Sequence, residues 1–185
     1  MSFTPNAPQR YPMAPLIRGT LVCLYLALVA PLPLLAPEPL RPWLLLLVPL
    51  GLLLVLALVS ETVELDAQGI GVGPAPWCAW LLRRGWRADW QQIKSLVPVA
   101  TSQGGRVYYL KITGPGQVQS ALLLPLRVAN FEQFLSQFSL ATGINTDQVR
   151  RISPPWTYQL LALLSGLMLA TEILLAILAG IRGHF

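Results

Sequence analysis

Hydrophobic positions fall into two arrangements along the chain. Three blocks are apolar almost without interruption, and the stretch between the second and third alternates apolar with polar residues. A helix needs about 17–25 predominantly apolar residues to cross a hydrocarbon core about 30 Å thick. Blocks 16–35, 43–60 and 156–181 each satisfy that length, so three transmembrane helices are predicted. Arg18 lies near the start of the first, where its long stem lets the guanidinium reach the interface. Pro31 and Pro33 loosen the end of this span. Only APEPLRP separates the first two blocks, so they form a transmembrane hairpin. A signal peptide is the competing reading of the first block, because its core ends in small residues and proline; the segment is expected to be retained. Residues 1–15 and 182–185 are left as tails.

Residues 61–153 follow a different pattern. Positions 61–66 alternate, Ala67-Gln68-Gly69 supplies a turn, and Ile70-Gly71-Val72 resumes as a partner strand. Residues 86–93 and 96–100 are further strand candidates. Gly104-Gly105 turns the chain into 106–113, RVYYLKIT, which is rich in β-formers. Gly114-Pro115-Gly116 turns it again into 120–126. A helix then starts at Asn130 as N-cap, with Gln133 three residues on. Phe131, Phe134, Leu135 and Phe138 form its apolar face, and Gly143 ends it. A single amphipathic helix covers the greasy face such a sheet would otherwise expose. The predicted fold class is an α+β membrane protein: three transmembrane helices with an inserted antiparallel barrel or bent sheet, capped by one C-terminal helix.

Composition narrows the function. A mean hydropathy of +0.57 with 11% charged residues agrees with membrane spans. The net charge of +5 raises nucleic-acid binding, but the basic residues of the central stretch are offset by acids and form no stripe, so none is expected. One histidine, His184, and two cysteines in unlike surroundings, Cys23 and Cys78, give no metal or disulfide pattern. No nucleotide loop or Ser/His/Asp set occurs. A non-catalytic protein without cofactor or metal is therefore expected.

Two features stand out as contact surfaces. Between residues 77 and 90, WCAWLLRRGWRADW, four of the six tryptophans (Trp77, Trp80, Trp86, Trp90) accompany Arg83, Arg84 and Arg87. Trp and Arg anchor protein interfaces, and both also suit the lipid headgroup boundary; packing in the domain core is the third reading. The third block carries Glu172, an acid whose ionisation deep in a bilayer costs about 2.5–3.5 kcal/mol. On a helix it shares a stripe with Ser165, Leu169, Ala176 and Ala179, and a hydrogen bond to a neighbouring helix is its expected role; a tolerated acid near the interface is the second reading, and proton or ion conduction, for which the other spans supply almost no polar residues, is the third. Ala162, Gly166 and Ala170 make a second small-residue face about a quarter turn away, open to a foreign helix. Orientation follows the basic residues near span ends. Arg10, Arg18, Arg150 and Arg151 outweigh the hairpin loop, where Glu38 cancels Arg41, and put the central stretch on the cytoplasmic side, with Arg182 as the one opposing charge.

The stretches 66–70 (DAQGI), 90–93 (WQQI), 108–113 (YYLKIT) and 130–142, in that order, resemble bacterial pleckstrin-homology-like domains found next to membrane hairpins. The hairpin followed by such a domain is similar to the photosystem I assembly protein family of thylakoids. There the likeness rests on Arg83, Arg84, Ile93-Lys94-Ser95-Leu96 and residues 109–112. It covers residues 16–144, about two thirds of the chain, and the third span departs from it. The resemblance implies an assembly or accessory factor, in a bacterial inner or thylakoid membrane, that docks on a larger integral membrane complex, by likeness a photosystem. The alternative it implies is a stand-alone lipid or envelope-stress sensor, for which Arg83, Arg84, Arg87 and Lys94 would supply a basic pocket.

Overall fold

The computed structural model describes residues 8–82, 85–101, 106–114, 119–149 and 155–182. The chain divides into two compact units, Met1–Ala14 with Ser60–Ser153, and Pro15–Val59 with Pro154–Phe185.

The second unit is helical. Its members are α1 (Pro15–Val29), the short α2 (Leu32–Leu35), α3 (Arg41–Leu58) and α6 (Pro155–Arg182). Pro31 and Pro33 have no N–H to continue the ladder of α1, which is why the first apolar block is broken between α1 and α2. Three stretches, Pro15–Leu35, Arg41–Leu58 and Trp156–Leu178, are long and apolar enough to cross a membrane. Most of their large side chains are exposed, which suits contact with lipid. α1 packs against both α3 and α6. The Tyr25 hydroxyl donates to the Val48 carbonyl at 2.7 Å, and it fits because Gly51 has no side chain there. Thr20 is buried; its hydroxyl donates to the Leu16 carbonyl at 2.7 Å and approaches the Tyr158 carbonyl at 3.4 Å.

The first unit holds two antiparallel sheets. One has the order β1 (Gln9–Pro12), β2 (Thr62–Leu65), β3 (Gly69–Gly73), β4 (Trp86–Asp89); the other is β5 (Ile93–Ala100), β6 (Arg106–Thr113), β7 (Gln119–Leu123). A short helix, α4 (Ala79–Leu82), precedes β4, and α5 (Phe131–Thr142) follows β7. The alternation read from sequence holds in the first hairpin: Val63, Leu65, Ile70 and Val72 are buried. They join Tyr108 and Leu110 of the second sheet and Phe131, Phe134, Leu135 and Phe138 of α5 in one core. The four α5 residues are those the 3.6-residue period marked.

Four local expectations change. Residues 9–12, left in a tail, form β1, which pairs with β2 from Gln9↔Leu65 to Pro12↔Thr62 and buries Tyr11 against Phe134 at a centroid distance of 5.5 Å. The strand expected over 86–93 is cut by a 3₁₀ turn at Trp90–Gln92, because Asp89 and Gln92 cap each other's backbone. The break leaves the two sheets separate, and they are not closed into a barrel among the described residues. Asn130 is the N-cap, but its side chain caps nothing; it sits at φ 50°, a left-handed conformation that Asn tolerates better than most residues. The turns expected at 104–105 and 115–116 lie outside the described residues.

The β2–β3 turn explains the spacing in DAQGI. One carboxylate oxygen of Asp66 accepts from the N–H groups of Gln68 and Gly69, both at 2.9 Å, and the Asp66 N–H donates to the Gly69 carbonyl. Gly69 passes so close to β4 that a Cβ would stand 2.1 Å from the Ala88 carbonyl oxygen, which is backbone and cannot swing away. Gly69→Ala is therefore expected to cost about 2–3 kcal/mol, in the range of overpacked sites. A lowered thermal midpoint of the purified protein, followed by tryptophan emission, checks it.

Candidate functional site

The Trp-rich stretch splits into two parts with different surroundings. Trp86 and Trp90 are partly buried and pack on the core. Trp90 meets Phe138 edge-on at 6.1 Å and donates its indole N–H to the Asp66 carbonyl at 3.0 Å. These two rings belong to the fold. Trp77 and Trp80, in contrast, are 54% and 74% exposed, and Leu81 beside them is 49% exposed. Prolines Pro74 and Pro76 turn the chain out of β3 into a 3₁₀ turn over Pro76–Cys78 and then α4. Both aromatics project from this short excursion. Sequence pattern could have separated the pairs: Trp86 and Ala88 keep the period-2 phase of a strand, whereas Trp77 and Trp80 follow the Gly73-Pro74-Ala75-Pro76 turn signal. Arg83 and Arg84 lie outside the described residues.

Arg87 is not available as a bare cation. Its guanidinium donates to the second carboxylate oxygen of Asp66 at 2.5 Å and reaches the Gln68 side chain at 3.4 Å. Arg10 is likewise paired with Glu64 at 2.8 Å. Register lines up Arg10, Glu64, Gly71 and Arg87 across the outward face of β1–β4. Because Gly71 and Gly73 carry no side chains, this face holds an open trough of about 650 Å³, walled by Trp86, Pro74 and the two arginines. It offers hydrogen bonds and apolar contact, with the Glu64 carboxylate and Thr62 among its lining. Among the described residues, no group of three His, Cys, Asp or Glu is placed to hold a metal ion.

Burial by itself would raise the Asp66 pKa, but the backbone donors of Gly69 and Gln68, together with Arg87, outweigh it and hold the carboxyl below the usual aspartate range. Its folded pKa is thus lower than its unfolded one. The stability it contributes is present above the unfolded value, about 3.9, and is lost as pH falls through the lowered folded value. Acid unfolding followed by Trp90 emission should therefore have a limb in that window, and Asp66→Asn should flatten it. An unchanged limb in the variant would assign it to other carboxyls.

In the helical unit, Ser165 is buried and its hydroxyl donates to the Leu161 and Ala162 carbonyls at 2.8 and 3.2 Å. The other small-residue face is partly open. Ala162 and Gly166 are half-buried, Ala170 is exposed, and a Cβ built on Gly166 would meet nothing within 4 Å. Ala176 is exposed as well. Glu172 is half-buried, and among the described residues it makes no hydrogen bond or ion pair. It lies seventeen residues beyond Pro155. It also lies six residues before Leu178, the last residue of the apolar stretch.

A protein of the cyanobacterium Synechocystis sp., described as "Uncharacterized protein slr0269", is 38% identical over 173 residues, covering 91% of this chain and 85% of the relative. The chain belongs to the slr0269 family. With 91% of the chain aligned, the likeness to slr0269 takes in both the helical and the β-rich unit. Neither a protein-family model nor a solved structure matches the chain.

Proposed function

We propose that this chain is a non-catalytic accessory factor, anchored by three membrane spans, that docks laterally on a larger membrane complex and assists its assembly. The observation that carries this reading is the partly open Ala162–Gly166–Ala170 face of α6. In lipid, helices associate through close backbone approach at small residues, not through a hydrophobic drive. α1 packs on α6, and beside Gly166 space remains for an outside helix to approach. The strand order, four then three followed by a helix over one core, is what supports a pleckstrin-like module, the basic residues near the span ends are the reason for placing it on the cytoplasmic side, and its glycine-floored trough is a second contact surface. By resemblance alone the complex is a photosystem.

The alternative, a lipid or stress sensor working alone, needs a basic pocket. Pairing with Asp66 engages Arg87, one of the four cations Arg83, Arg84, Arg87 and Lys94 on which that pocket would rest. The test is gentle solubilisation of native membranes followed by native electrophoresis. Migration with a large assembly containing photosystem subunits is expected, and migration of the chain by itself would refute docking.

A further inference from the structure

The exposed tryptophan turn has a position fixed by the chain. Ser60 stands two residues beyond Leu58, the last residue of α3. At most about 7 Å of backbone separates them. Ser60 is in turn tied to the tryptophan turn: its hydroxyl oxygen accepts from the Ala75 N–H at 3.2 Å and lies 3.1 Å from the Cys78 sulfur. Cys78, fully buried, also donates to the Ala75 carbonyl at 3.3 Å. Trp77 precedes this anchored cysteine, and Trp80 follows it by two residues. The turn that carries both rings is therefore bonded to a residue only two positions along the chain from the end of α3.

We infer that Trp77, Trp80 and Leu81 seat in the lipid headgroup layer and fix the β-rich unit against the bilayer surface. This layer is about 5–8 Å thick on each side of the core, a depth that an indole ring anchored at Ser60 can reach. Tryptophan prefers that layer because its ring is apolar and its N–H is polar. The Trp80 indole N–H already donates to the Trp77 carbonyl at 3.1 Å. Its ring can thus enter the acyl boundary without carrying an unpaired donor. Leu81, on the same excursion, adds apolar area. A protein partner for these rings would have to displace lipid from the foot of a span. The inference concerns the bilayer and stands apart from the proposed docking of α6.

The test uses the full chain reconstituted alone in phosphatidylcholine vesicles whose acyl chains carry bromine either near the carbonyl end or near the middle. Trp43 and Trp156, at span ends, are first replaced by phenylalanine, leaving four tryptophans. Trp77 and Trp80 are two of these, so about half of the emission is expected to be quenched by the shallow bromines and less by the deep ones, as an interfacial position requires. Trp77→Phe with Trp80→Phe should remove the quenchable half, while the remaining Trp86 and Trp90 keep the blue-shifted emission of a folded core. If shallow bromines leave the emission of Trp77 and Trp80 unchanged and aqueous iodide quenches it instead, the turn faces water and the inference is wrong. Because the vesicles hold no other protein, neither result depends on whether the chain docks on a complex.

Discussion

Phe134→Ala is expected to destabilise the β-rich unit by about 4 kcal/mol, the middle of the range for removing a buried aromatic ring. Phe134 is fully buried at the centre of the α5 face, between Tyr11 at 5.5 Å and Phe138 at 6.4 Å. Its loss opens a void where β1 and α5 meet. Domains of this size are held by only about 5–15 kcal/mol, so the loss is a large share of the total. The check is denaturant unfolding in mild detergent with two signals read together. Emission of Trp86 and Trp90 should report an early transition, while the helical far-ultraviolet signal of the spans persists. Coincident loss of both signals at the wild-type midpoint would show that Phe134 is not central to this core.

Gly166→Leu is expected to release the chain from its partner complex without disturbing its own fold. A Cβ at this position meets nothing within 4 Å in the chain itself, so the added side chain starts into open space in the free protein. In a helix pair built on close approach it stands where the partner backbone must come. A weakening of at least about tenfold is expected, which corresponds to ~1.4 kcal/mol. The measurement is the fraction of chain migrating with the large assembly, set beside thermal unfolding of the purified variant. Lost co-migration with unchanged unfolding supports docking at this face. Retained co-migration moves the contact elsewhere, and Glu172→Leu then asks whether the neighbouring stripe carries it.

The parts of the fold legible in the sequence were those written in local periods. The three spans follow from uninterrupted apolar length, α5 from spacing of three and four, and the first hairpin from alternation around Asp66 and Gly69. β1 was not legible. QRYP is four residues long, ends in proline, and pairs with residues some fifty positions away, so its strand character comes from β2 and not from its own pattern. The split of the tryptophans was half legible. Phase along β4 marks Trp86, whereas the inward role of Trp90 depends on the 3₁₀ turn that brings its ring over Phe138.

The pairing of β1 with β2 has a consequence for biogenesis. The strand that leads into the first span is hydrogen-bonded to the strand that leaves the second, with the whole hairpin between them in the chain. During synthesis, β1 emerges early and has no mate until residues 15–59 have been threaded into the bilayer and turned back. Tyr11 stays without its site against Phe134 for longer still, until the far end of the module has been made. Pairings this distant in sequence form slowly, and until β1 is in place β2 presents an unpaired edge, the kind of surface that recruits aggregation.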